Sequence, residues 1–65
     1  MKYDHSVAGE IEHHLSVALD TSRTLAERAR AAAIACGRIR YTGQEDSEMY
    51  SATVALYEAL EQAQG

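Results

Sequence analysis

The chain has no proline, no tryptophan and no phenylalanine, and only four glycines and one cysteine among its 65 residues. Without proline nothing in the sequence forces a helix to kink or stop, so long uninterrupted helices are permitted. A lone Cys36 cannot close an internal disulfide, the staple on which small secreted domains depend. No apolar run approaches the roughly 18 residues of a membrane span, and no basic start leads into an apolar stretch as in a signal peptide. A cytoplasmic location with no membrane partner is therefore expected. A formal charge of −4 supplies no net positive field for phosphates, which argues against duplex nucleic acid as a partner. The length leaves room for a single domain, residues 1–65.

What the chain does have is alanine. Twelve Ala stand beside five Leu, four Tyr, three Ile, three Val and two Met, so bulk for a core is scarce. A short chain with an alanine-weighted core buries little apolar surface, and such domains need a disulfide, a metal or a second subunit. The disulfide is excluded and no Cys and His spacing suggests structural zinc. Self-association is the support that remains.

The dominant pattern is a heptad running Ala8, Ile11, Leu15, Ala18, Ser22, Leu25, Ala29, Ala32, Cys36 and Ile39, in alternating steps of three and four. Ser22 is its one polar member. Residues from about Ser6 to Tyr41 are thus expected to form one helix, roughly 50 Å long at 1.5 Å per residue. Asp4 or Ser6 is the expected N-cap, Glu10 and Glu12 complement the start of the helix dipole, and Arg38 and Arg40 complement its end. Gly43 can take the left-handed conformation that closes a helix. A rival boundary lies at Asp20–Thr24, because Thr24 and Glu27 have the spacing of a capping box and a break there gives three helices. The unbroken phase on both sides argues for continuity. Gly37, at the end of a run of small residues from Ala29, reads as a helical position allowing close backbone approach.

After a short polar connection, Asp46 or Ser47 caps a second helix reaching about Gln64. Met49, Thr53, Leu56, Leu60 and Ala63 form one stripe on it, and Tyr50, Val54 and Tyr57 form another beside it. One neighbouring helix cannot cover both. The expected fold is therefore all-α: an antiparallel helical hairpin, long helix then shorter helix, assembling into an oligomeric helical bundle. Its interface residues are expected to be Ile11, Leu15, Leu25, Ala29, Ala32, Cys36, Ile39, Met49, Tyr50, Val54, Leu56, Tyr57 and Leu60.

Charge is segregated. Residues 21–41 carry five Arg against Glu27 alone, while residues 42–65 carry Glu45, Asp46, Glu48, Glu58 and Glu61 and no cation. The basic middle is expected to face acidic helices of the same chain or a neighbour. Arg38, Arg40, Tyr41, Thr42 and Tyr50 make the best ligand constellation, joined in one version by Arg30. Arginine forks bind phosphate, a tyrosine face stacks on a base, and a hydroxyl adds a hydrogen bond. Glu10, His13 and His14 have the offsets of ligands on one helix face, yet only one of the two histidines can join Glu10 without help from His5 or Asp4, so no metal is assigned. Cys36, on the seam, reads as a small buried side chain rather than a nucleophile.

No nucleophile elbow, phosphate loop or paired catalytic carboxylates are present, so no enzyme activity and no cofactor are expected. The first reading is a small oligomeric helical protein that acts by binding a macromolecular partner, as regulator, adaptor or inhibitor. The second is an oligomeric hairpin that sequesters a nucleotide or cyclic-nucleotide signal. A long helix, short turn and second helix is similar in architecture to small phage proteins that counter bacterial immunity, a likeness shared with many unrelated proteins.

Overall fold

The computed structural model describes residues 5–44 and 46–65, and among them every regular element is helical. The described residues form three helices: α1 (His5–Leu19), α2 (Leu25–Tyr41) and α3 (Glu48–Gln64). The chain breaks at the rival boundary, so the expectation of one long helix from Ser6 to Tyr41, and with it the two-helix hairpin, is corrected. Asp4 lies outside the described residues, and Ser6 stands inside α1 rather than before it.

Local chemistry at residues 20–24 explains the break. The Asp20 carboxylate accepts from the Ser22 amide at 3.0 Å and from its hydroxyl at 2.6 Å, and the Arg23 guanidinium lies 3.4 Å away. These bonds, that to the Ser22 hydroxyl first, hold the Asp20 carboxyl below its ordinary 3.8. Thr24 then restarts the helix with a complete capping box: its Oγ1 accepts from the Glu27 amide at 3.1 Å, and Glu27 Oε1 accepts from the Thr24 amide at 3.2 Å. Each half satisfies a donor that continuous helix would have bonded differently.

The heptad phase survives this break because α2 carries apolar or small residues at every position from Ala31 to Gly37. In such a stretch a seam can be drawn in any register, so continuity of phase carries no information about continuity of helix. α2 is the central element, packed against both α1 and α3, while α1 and α3 scarcely touch each other. Its buried residues Ala31, Ala35, Ile39, Ala32, Cys36 and Ala29 cover an arc of roughly 160° at about 100° per residue. One edge of that arc meets α1, to which Arg28 and Arg38 reach; the other meets α3. Ala18, Ala29, Ala31, Ala32 and Leu60 form the core cluster where the three helices meet, flanked by Val17, Leu56 and Tyr57.

Gly37 is exposed, and a Cβ added there would meet nothing within 4 Å. The close approach expected at this glycine is therefore absent. Since the residue sits in a helix interior with no contact to lose, Gly37→Ala should stabilise the fold by roughly 0.5–1 kcal/mol, read from chemical denaturation. An unchanged or lower midpoint would contradict this placement.

The second connection follows the sequence reading closely. Gly43 has φ +79°, the left-handed value that a side chain resists. Its amide donates to the Arg40 carbonyl at 3.0 Å and the Gln44 amide donates to the Ile39 carbonyl at 3.3 Å, the paired bonds of a Schellman ending. Ser47 is the cap of α3: its hydroxyl donates to the Gln44 carbonyl at 2.7 Å and accepts from the Tyr50 amide at 3.1 Å. No helix of the described residues is long and apolar enough to cross a membrane.

Candidate functional site

Two of the concavities beside or between the helices are lined entirely by described residues. The first is a cleft of about 320 Å³ between α2 and α3, lined by Ala33, Cys36 and Arg40 from one helix and Tyr50, Val54, Tyr57 and Glu58 from the other. These residues pair in antiparallel register. The short connection from Thr42 to Ser47 turns the chain back on itself, and in that antiparallel arrangement positions with equal sums fall at similar heights: Arg40 with Tyr50, Cys36 with Val54 and Ala33 with Tyr57. Glu58 closes the far end. Both tyrosines and Val54 are half-buried, whereas Arg40 and Glu58 are exposed.

The second concavity, about 280 Å³, lies between α1 and α3 and is lined by Leu15, Leu19, Met49, Ala52, Thr53 and Leu56. Leu19 is 61% exposed and Met49 47%, high values for side chains of this size and apolarity. The one polar residue in this groove is Thr53, and its hydroxyl donates to the Met49 carbonyl of its own helix at 2.7 Å. The groove thus offers a visitor apolar contact and no free side-chain hydrogen-bond donor.

The expected ligand constellation is divided between these surfaces and the solvent. Arg40 and Tyr50 share the α2/α3 cleft. Arg38 points the other way, its Nε 3.3 Å from Glu10 Oε1 on α1. Residues two apart on a helix are separated by about 200°, so Arg38 and Arg40 cannot serve one site from the same turn. Tyr41 is 83% exposed. Thr42 ends α2, with its hydroxyl donating to the Ile39 carbonyl at 2.7 Å. Arg30 is exposed on α2 and lines neither concavity.

The expected interface residues fall into three groups, with Ile11 and Leu25 outside them. Ala29, Ala32, Cys36, Ile39 and Leu60 are buried within the single chain. Leu15, Met49 and Leu56 line the α1/α3 groove, and Tyr50, Val54 and Tyr57 line the α2/α3 cleft, which Cys36 also borders. Ile11 is half-buried on α1, and Leu25, at the start of α2, is 37% exposed. The sequence reading missed Ala33 and Glu58 in the cleft and Leu19 and Ala52 in the groove, where Thr53 lies beside its stripe neighbours Met49 and Leu56. The antiparallel register would have found Ala33, because Ala33 and Tyr57 fall at one height if Arg40 and Tyr50 do.

The electrostatics are less compensated than the charge blocks suggest. Among the described residues two ion pairs form, Arg23–Asp20 within the first connection and Arg38–Glu10 between α2 and α1. Both are near half-exposed and contribute little. Basic α2 and acidic α3 lie side by side without a salt bridge between described residues. Burial pushes the Cys36 thiol up, with the nearby Arg40 guanidinium opposing it. A raised thiol is a poor nucleophile at neutral pH.

His13 and His14 stack edge to face with ring centroids 5.2 Å apart, and the Glu10 carboxylate faces Arg38. No three of His, Cys, Asp and Glu gather as a metal site among the described residues. Comparison with protein-family models, curated proteins and solved structures finds no match to this chain.

Proposed function

We propose that this chain is a non-enzymatic helical interaction module that self-associates and acts by binding another protein. The observation that carries the reading is the α1/α3 groove. Leu15, Leu19, Met49 and Leu56 line a concavity whose single hydroxyl is already committed, and an aliphatic ridge on an amphipathic helix is the chemistry that fills such a space. Met49 suits it, because a flexible thioether adapts to the side chains laid against it. The two-helix likeness to phage anti-defence proteins lends no support, since the described residues form three helices.

A photo-crosslinking residue at Ala52, exposed in the groove, tests the reading in the cell that produces the protein. The expected outcome is one crosslinked adduct with a distinct protein, lost when Leu19→Asp and Met49→Asp place carboxylates in the groove. Both positions are exposed, so the variants should stay helical by circular dichroism. The absence of any adduct, or an adduct with the chain itself only, would overturn binding of another protein at this groove.

A second reading, capture of a small anionic nucleotide, draws on one observation, the shared position of Arg40 and Tyr50. Glu58 in the same cleft opposes it, as does the loss of Arg38 to Glu10. A melting temperature raised by a nucleoside phosphate, and no longer raised after Arg40→Ala, would place this reading first.

A further inference from the structure

We infer that the α2/α3 cleft is the contact between two copies of this chain, related by a two-fold axis through the middle of the cleft. The assignment rests on the self-associating reading above and names the face that performs it. Along the cleft the residues run from a cation to a carboxylate: Arg40 with Tyr50, then Cys36 with Val54, then Ala33 with Tyr57, and finally Glu58. Positions 50 and 58 are about 12 Å apart along α3 at 1.5 Å per residue, and Arg40 and Glu58 form no ion pair with each other within the chain. No described residue forms an ion pair with either.

A face that is basic at one end, apolar in the middle and acidic at the other is complementary to itself turned end for end. A two-fold rotation about the Cys36 and Val54 level lays Arg40 against the partner's Glu58 and Glu58 against the partner's Arg40, so the dimer gains two ion pairs, one for each of these charges in each copy. Between the two charge contacts the half-buried Tyr50, Val54 and Tyr57 of each copy become the apolar centre. Tyrosine is suited to this position, with a broad ring for contact and a hydroxyl for the wet rim. Ala33, small and exposed, leaves room for the partner's tyrosine to approach. A simple anion fits less well, because what attracts it at Arg40 repels it at Glu58. The cleft requires a partner with a carboxylate and a cation at matching separation, and a second copy has both.

Sedimentation equilibrium of the whole chain tests this directly. The wild type should be a dimer. Arg40→Glu alone sets carboxylate against carboxylate at both contacts, and Glu58→Arg alone sets cation against cation, so each should weaken dimerisation by about 100-fold or more. Mixing the two variants in equal amounts should restore the dimer, because in the mixed pair both contacts are again opposite in charge. The doubly exchanged chain, Arg40→Glu with Glu58→Arg, should dimerise by itself as the wild type does. Both residues are exposed, and circular dichroism of each variant verifies the helices. A wild-type dimer indifferent to either change, or a mixture no tighter than its components, would overturn the face while leaving self-association in place. A monomeric wild type would overturn both.

Discussion

Replacing Ile39 with alanine should cost about 2–5 kcal/mol of folding stability, measured by urea denaturation at fixed protein concentration. Ile39 is the largest side chain that is fully buried, at 0% exposure, in a core otherwise made mainly of alanine. A chain of this length has a total stability of about 3–10 kcal/mol, so losing one aliphatic anchor removes a large share of it. The position is also where α2 ends: the Ile39 carbonyl accepts from the Thr42 hydroxyl at 2.7 Å and from the Gln44 amide at 3.3 Å. The substitution leaves that carbonyl in place, so the loss measured belongs to the side chain. A change below about 1 kcal/mol would mean that Ile39 is not enclosed as described.

The opposite error, excess volume, should be punished at Ala32. This residue is 0% exposed within the cluster of Ala18, Ala29, Ala31 and Leu60, where the three helices meet. Ala32→Leu adds three carbons where no space exists and should destabilise by about 1–3 kcal/mol, by displacing a neighbouring helix from α2. Ala26→Leu, six residues earlier in the same helix and exposed, is the matched control and should change stability by about 0.5 kcal/mol or less. Equal effects at the two positions would show that α2 is not enclosed along the arc assigned to it.

The helical class, the Gly43 ending, the Ser47 cap and the extent of α3 were legible because each has a local signature of one or two residues. The break before α2 was legible too, in the Thr24 and Glu27 spacing, yet it was outweighed by the heptad. That periodicity misled because alanine is small enough to lie on any face of a helix. Ala29, Ala32, Cys36 and Ile39 do turn toward the core, but the helices covering them belong to the same chain. The ligand constellation was drawn from neighbours in sequence, and helical rotation separates such neighbours, sending Arg38 to α1 and Arg40 to α3. What could not be read was the α1/α3 groove. It exists only because α2 holds two helices apart, and neither helix carries that geometry by itself.

The Arg28 guanidinium donates through Nε to the Ala18 carbonyl at 2.8 Å, at the end of α1. α1 has no basic residue in its own last turn, so the cation that its dipole calls for comes from the next helix. The hairpin of α2 and α3 has its own starts and stops: the Thr24 box, the Gly43 ending and the Ser47 cap. α1 borrows. In terms of the order of assembly, residues 24–65 form the unit whose signals are self-contained, and α1 is the segment whose Ala18 carbonyl finds its side-chain donor only on docking against it.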